Sequence, residues 1–360
     1  MNYLNLKDIN APYEEDIRRV MAEVIDNGWY LQGEYVSRFE REWAAYCHSD
    51  YCVSCGNGLD AIRLVLMALM DSGILAEGDE VIVPANTFIA TVLAISQCRL
   101  NPILIDPDSD TYLITKDNIA RAITEKTRVI LPVHLYGKAC DMAEIIKWAE
   151  QYHLVIVEDC AQCHGIITPR SAASVAQCYS FYPAKNLGAL SDAGAVVTDN
   201  KELAESVRRL ANYGSSTKYV HTQKGINSRM DEIQAAILSI KLKDLDRCNV
   251  HRKAIAKRYD TEITNPAVIL PKITTESVFH IYPIRCERRD ELQQFLKVND
   301  IATQIHYPIP IHQQQCYRDE YAVSLPVTEM IAKTELSLPC HQAMSEEEVS
   351  LVISALNAFH

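Results

Sequence analysis

Long apolar runs are the first thing missing. The longest, near Ala61 to Met70, is interrupted by Arg63 and is too short to span a bilayer. A helical membrane anchor is therefore not expected. The opening residues MNYLNLKDIN are polar and lack the apolar stretch of a secretory leader, so a cytoplasmic chain is expected. A basic excess is missing too. Lys and Arg number 35 against 47 Asp and Glu, the formal charge is −12, and no dense Lys/Arg run occurs. That excludes the electrostatic footprint of a nucleic-acid binder. Internal repeats, low-complexity tracts and linkers are absent. Glycine is scarce, at 12 of 360 residues, which gives more weight to the glycines found in turns. Cysteine is not scarce, but the 12 cysteines are irregularly spaced, which argues against a disulfide framework. A cytosolic setting would keep them reduced.

What is present reads as an α/β chain. Its 360 residues exceed the size at which one core stops growing. Two domains are expected, 1–245 and 246–360. From about residue 50, apolar β-branched runs at Glu80–Pro84, Pro102–Asp106, Arg128–His134, Leu154–Asp159 and Gly194–Thr198 alternate with helical stretches. The helices are expected at Gly58–Met70, Thr87–Ser96, Asp141–Tyr152 and Lys201–Asn212. Short apolar strands alternating with helices predict a mostly parallel sheet covered on both faces. Ligands of such sheets sit beyond the carboxyl ends of strands, which draws attention to Glu158–Asp159. An amphipathic helix at Met230–Leu245 is expected to join this unit to a smaller α+β one. There Val278–Arg285 and Ile301–Tyr307 read as strands, and Arg289–Val298 and Ser345–Phe359 as helices.

Four stretches carry chemistry. Gly56-Asn57-Gly58-Leu59-Asp60-Ala61 precedes a helix, and a glycine turn with a helix start offers free N–H groups to a phosphate. Most such turns are merely turns. Glu158-Asp159-Cys160-Ala161-Gln162-Cys163-His164-Gly165 ends a strand. A carboxylate there can hold a pyridinium nitrogen protonated, cap a loop or bind a metal. Ser180-Phe181-Tyr182-Pro183-Ala184-Lys185-Asn186-Leu187-Gly188 surrounds a lysine with apolar groups, which lower an amine pKa; a lone loop lysine is more often a surface charge. Gly225-Ile226-Asn227-Ser228-Arg229-Met230-Asp231-Glu232-Ile233-Gln234 opens a helix pattern, where Asn227 and Arg229 suit a cap and a surface position.

The order and spacing of all four resemble the DegT/DnrJ/StrS sugar aminotransferases. The resemblance runs nearly end to end. It includes Asn27-Gly28-Trp29-Tyr30, Asn86-Thr87-Phe88-Ile89-Ala90-Thr91, Val133-His134-Leu135-Tyr136-Gly137, His306-Tyr307-Pro308 and Ser337-Leu338-Pro339. It implies an aspartate-aminotransferase-type fold and a pyridoxal 5'-phosphate cofactor. Lys185 would bond the cofactor and carry the proton, and Asp159 would pair with the pyridine nitrogen. Gln162 would face the ring hydroxyl and Phe88 would stack on the ring. Gly58, Leu59 and Ser180 would bind the phosphate. Asn227 would reach the phosphate of the neighbouring subunit's cofactor, which implies a homodimer. Tyr182, Tyr219 and His306 are candidates for the sugar or diphosphate, with plain packing as the alternative. The substrates implied are an amino-acid donor, glutamate, and a nucleotide-linked keto sugar. The Gly-Asn-Gly-Leu-Asp-Ala loop resembles members that aminate C3 of dTDP-3-keto-6-deoxyhexoses. C4 or UDP-sugar amination, or an impaired paralogue with a regulatory role, are the alternatives.

Three departures stand out. Ala184 and Ser191 replace usual glycines, and Ile166–Ala176 lacks a Gly-rich turn. A positive φ at Ala184 would carry strain of order ~1 kcal/mol or more. Members that dehydrate sugars carry His in place of the lysine, so Lys185 argues against that branch. Three other signals are discounted, and no metal is expected. Cys160-x-x-Cys163-His164 matches a haem-attachment pattern but fits the cofactor strand. Cys52 and Cys55 lack a second pair. Asp106, Asp108 and Asp110 lack the sharp-turn Gly of a calcium loop, because Thr111 stands there.

Overall fold

Short, mostly apolar runs become the strands of one sheet. The computed structural model describes residues 1–273, 276–321 and 323–360. The strands are β1 (Tyr51–Cys55), β2 (Glu80–Pro84), β3 (Asn101–Ile105), β4 (Thr127–Ile130), β5 (Val155–Asp159), β6 (Ser174–Ser180) and β7 (Gly194–Thr198). Their order is β1-β7-β6-β5-β4-β2-β3, and only β7 runs against its neighbours. β2 and β7 are buried along their whole length, as continuous apolar strands covered on both faces should be.

Before, between and just after these strands lie α1 (Leu6–Asn10), α2 (Glu14–Asn27), α3 (Glu34–Tyr46), α4 (Gly58–Asp71), α5 (Ile89–Gln97), α6 (Lys116–Ala122), α7 (Met142–Tyr152) and α8 (Lys201–Ala211). Their starts obey local chemistry. The side chains of Asn57, Asp141 and Asn200 cap α4, α7 and α8 by accepting amides of their first turns. Leu64, Leu66, Ile82, Val92, Ile130 and Ile156 fill the core around the sheet. None of the helices among the described residues is long and apolar enough to cross a membrane.

A small hairpin, β8 (Ser215–Thr217) with β9 (Val220–His221), precedes α9 (Glu232–Leu242) and α10 (Leu245–Glu262). Beyond them a second core forms. β10 (Tyr282–Arg285) pairs antiparallel with β11 (Glu335–Leu338), placing Tyr282 opposite Leu338 and Ile284 opposite Leu336. α11 (Arg289–Val298), α12 (Pro326–Thr334) and α13 (Glu346–Ala358) complete this part, with Leu292, Leu296, Val352 and Leu356 in its core. α13 starts with a capping box in which Ser345 and Glu348 satisfy each other's amides.

The structure departs from the expected elements at identifiable places. β1 and β6 went unread because Ser54 and Gln177 break their apolar pattern. Both are buried, satisfied by distant partners: Ser54 bonds Glu40 and Gln177 bonds Thr168. α10 went unread because its buried face includes Asn249 and Arg252. The expected strand Ile301–Tyr307 shrinks to a bridge between Gln304 and Ser337, because the His306 amide donates to the Glu335 carboxylate instead of to a neighbouring strand. Val278–Ile281 bonds the turn Tyr136–Gly137, which delays β10 to Tyr282.

Candidate active site

Strand register brings the chemistry to one edge. Cys55 ends β1 opposite Gly194, Ser180 ends β6 opposite the same Gly194, and Asp159 ends β5 opposite Cys178. The turn after β1 therefore meets the end of β6. A Cβ on Gly58 would lie 2.5 Å from the Ser180 Cβ, and one on Gly194 would lie 2.3 Å from the Asn57 carbonyl oxygen. Only glycine fits at both. The Gly58 and Leu59 amides at the start of α4 have no partner among the described residues. The Gly56 amide donates to Ser228 Oγ at 2.9 Å, and that hydroxyl donates to Asp60 at 2.7 Å.

Asp159 is buried and doubly held. Its carboxylate accepts from the Ala161 amide at 3.0 Å and from the Thr91 hydroxyl at 2.8 Å. Burial pushes its pKa up; these donors and the charge of Lys185 offset only part of that. Behind it, Glu158 accepts from the hydroxyls of Thr168 (2.8 Å) and Ser174 (2.6 Å) and faces His134 Nε2 at 3.0 Å. Burial would raise Glu158, but His134 and the hydroxyls hold it below the ordinary carboxylate range. Although Glu158 favours a charged His134 ring, the Cys140 amide donates to Nδ1 at 3.0 Å and keeps that nitrogen unprotonated. Thr168 and Ser174 belong to the segment that lacks the Gly-rich turn. Polar anchors fix it instead, among them Arg170 to Asp199 at 3.2 Å.

Lys185 is half-buried on the turn after β6, its amide bonded to the Tyr182 carbonyl at 2.8 Å. Burial lowers its pKa to about 8 against the attraction of Asp159. Its neighbour Asn186 donates to Asn249 (2.8 Å) and to the Val278 carbonyl (3.0 Å). α9 braces the same turn. Gln234 accepts the amides of Leu190 and Ser191 at 2.9 and 3.1 Å, and Lys241 donates to the Gly188 carbonyl. Glu232, at the start of α9, accepts the amides of Gly33, Tyr35 and Val36 at 2.8 to 3.1 Å and so caps α3. Ala184 is not among the non-glycine residues with positive φ, so the strain foreseen for it does not arise.

The opposite wall is aromatic. The Phe88 ring lies 5.3 Å from that of Tyr307. Gln162 Oε1 accepts the Tyr136 amide at 2.6 Å, and its amide nitrogen lies 3.4 Å from the Tyr307 hydroxyl. His306, next to Tyr307, has its pKa lowered to about 4 by burial and by the Lys185 charge.

The chain matches the DegT/DnrJ/EryC1/StrS aminotransferase family over residues 12–357. It belongs to that family. It is 45% identical to the dTDP-3-amino-3,6-dideoxy-α-D-galactopyranose transaminase of Aneurinibacillus thermoaerophilus, over 99% of each protein. Among solved structures it resembles DesV of S. venezuelae with a TM-score of 0.94 and 41% identity, covering 99% of this chain and 97% of that one. It also resembles NtdA of Bacillus subtilis with bound cofactor PMP, at TM-score 0.93 and 34% identity, covering 99% and 84% respectively. The chain is thus a fold-type I aminotransferase of the pyridoxal-phosphate-dependent kind. Its residues fit that group. Side-chain-free space at Gly58, two unpartnered amides beside Ser180, a buried carboxylate and a lysine of lowered pKa share one edge.

Gly58 meets Ser180, the charge of Lys185 acts on both Asp159 and His306, and Gln162 and Phe88 meet at Tyr307, which outlines a cleft of this aminotransferase. Tyr182 and Phe88 are about half exposed, while Tyr219 on the turn between β8 and β9 is 84% exposed. Asn227 is exposed, and its side chain has no hydrogen bond among the described residues, although Ser228 beside it reaches the Gly56 turn. Thr91, Ser228, Gln234 and Tyr307 lie in stretches noted from the sequence but were given no role there. Thr91 had a signal: three residues beyond Phe88, it occupies the first turn of α5. Asp106, Asp108 and Asp110 do not converge. Asp106 accepts from Thr328, Asp108 from Thr111, and Asp110 pairs with Lys272. His134, Cys160 and Cys163 do converge, with ligand atoms within 4.8 Å of one another. Both His134 nitrogens are already engaged by Cys140 and Glu158, which leaves none for a cation.

Proposed function

We propose that this aminotransferase moves the amino group of glutamate to C3 of a dTDP-linked 3-keto-6-deoxyhexose. The reading is carried by Lys185 standing beside Asp159 at an edge that also offers the Gly58 and Leu59 amides. The named activity of the Aneurinibacillus relative supports the sugar and the nucleotide. When bound, pyridoxal phosphate supplies an electron sink for the charge left by proton removal.

The residues then divide the work. With a pKa of about 8, Lys185 is roughly one-quarter uncharged at pH 7.5, against about one part in a thousand for an ordinary lysine. Its Nζ can therefore both take up and return a proton near neutrality. Asp159 would hold a cationic ring nitrogen, Gln162 the ring hydroxyl and Phe88 the ring face. Gly58, Leu59 and Ser180 would hold the phosphate. Tyr182, Tyr219 and His306 would meet the sugar or diphosphate. The working unit is a homodimer in the cytoplasm, with Asn227 of each subunit serving its partner's phosphate. The exposure of Asn227, Tyr219, Trp29 and Tyr30 supports that arrangement.

Purified enzyme given the dTDP-keto sugar and glutamate should form 2-oxoglutarate and amino sugar in equal amounts, with nitrogen on C3 by NMR. An amine on C4, or no turnover, would sink the reading. Mixing inactive Lys185→Ala and Asn227→Ala proteins should restore part of the activity if sites are shared between subunits.

A further inference from the structure

A chain of hydrogen bonds runs from the cleft wall into the second core. The His306 amide donates to Glu335 Oε2 at 2.7 Å, and His306 Nδ1 lies 2.8 Å from Ser337 Oγ. Ser337 Oγ in turn bonds Glu335 Oε1. The Tyr136 hydroxyl donates to the His306 carbonyl at 2.5 Å. Backbone and ring are both fixed, so the direction of His306 Nε2 is fixed. That atom has no hydrogen bond among the described residues. Glu335 and Ser337, two apart on β11 and therefore on one face, have no exposed surface.

A serine hydroxyl has one hydrogen and an ionised carboxylate has none. If Glu335 is ionised, Ser337 must donate to it. Ser337 can then only accept from His306, so Nδ1 carries the ring proton and Nε2 a lone pair. If Glu335 is protonated and donates to Ser337, and the Tyr3 phenol donates to the other Ser337 lone pair, the Ser337 hydrogen serves Nδ1, and the ring proton sits on Nε2. One proton entering at Nε2 interconverts the two states. Nδ1 passes its proton to Ser337 Oγ, and Oγ passes its own to Glu335 Oε1.

We propose that Glu335 is a positioning residue that selects, through Ser337, which nitrogen of His306 carries the proton. Nε2 then meets the cleft as a donor when Glu335 is protonated and as an acceptor when it is ionised. The consequence for catalysis rests on the placement of His306 at the sugar. Burial pushes Glu335 up to about 8, against the pull of Ser337, the His306 amide and Arg289. Arg289 donates to the Glu335 carbonyl at 3.0 Å. The nearby phenols of Tyr3, Tyr112, Tyr136 and Tyr307 are all pushed above their ordinary range by burial, so they do not titrate in this window. His306 itself is neutral there. Lys185 titrates in the same window, so pH alone cannot isolate the relay.

The test is ¹⁵N NMR of histidine-labelled holoenzyme, with the His306 signals assigned by His306→Gln, at about 1.5 units either side of that pKa. In the wild type, Nδ1 and Nε2 should exchange protonated and unprotonated character across the window. In Glu335→Gln the amide cannot ionise; its NH₂ donates to Ser337, and the Nε2–H form should persist throughout. Ser337→Ala should uncouple the ring in a second, smaller change. The keto-sugar KM should rise about fivefold to tenfold above the window in the wild type, one hydrogen bond's worth, and stay flat in Glu335→Gln. An unchanging ring in the wild type, or a swap that survives in Glu335→Gln, overturns the proposal. A swap as stated with a sugar KM indifferent to His306→Gln upholds the relay and removes His306 from the sugar.

Discussion

The two walls of the cleft are built differently. The cofactor wall hangs on strand ends: Asp159 closes β5, Ser180 closes β6, and Gly58 follows β1. The other wall hangs on an irregular segment, His306-Tyr307, tied by side chains to β11 of the second core. The difference teaches that a rigid sheet edge suffices where the ligand is always the same. On the side proposed to meet the sugar, a polar scaffold that can be altered residue by residue serves instead.

The largest expected effect lies on the cofactor wall. Lys185→Met should cost about 10⁴-fold in kcat/KM, since one group serves as proton carrier and attachment point. It should not lower Tm. The folded Lys185 pKa is depressed to about 8, so the unfolded chain binds more protons between about 8 and the ordinary 10.5, and stability rises with pH across that window. In Lys185→Met that slope should shrink by this residue's share, while Lys138 and Lys241, also lowered to about 8 by burial, keep theirs; a fall in Tm would break the contrast between a buried functional amine and a supporting core. Next, Leu338→Ala in the fully buried β11 should cost about 3 kcal/mol by denaturant unfolding while leaving cofactor affinity alone. Weaker cofactor binding in that variant would show the walls to be one unit. Gly58→Ala should strike the cofactor wall itself. Its Cβ, 2.5 Å from Ser180, should weaken cofactor binding by about 2 kcal/mol, roughly thirtyfold, by spectrophotometric titration. The smallest effect is expected of Thr91→Val. Removing a donor raises the Asp159 pKa further, so the acid limb of the rate profile should move to higher pH, with about fivefold loss at pH 6 and less at pH 8. An unmoved limb would separate Asp159 from that limb.

The same contrast explains what could be read from the sequence. β2 and β7 were legible to the residue, and β5 nearly so, because strands buried on both faces are apolar nearly throughout. The cofactor-wall residues were legible because they follow those strands at short spacing. β11 was not, since Glu335 and Ser337 look like surface residues until His306 is placed beside them. Ile301–Tyr307 reads as a strand by composition, yet of its residues only Gln304 bridges to β11, and the His306 amide goes to a carboxylate that lies 29 positions further along. Thr91 and Gln234 failed for the same reason: their partners, Asp159 and the amides of Leu190 and Ser191, are distant in sequence.

α9 has a consequence for which sequences this scaffold tolerates. Glu232 holds the start of α3, Gln234 holds the turn carrying the lysine, and Lys241 holds Gly188. Each added or lost residue turns a helix by about 100°. A single insertion or deletion between 232 and 241 must therefore swing at least one of these anchors off its target. The length of this stretch should be invariant even where its outward-facing side chains drift freely.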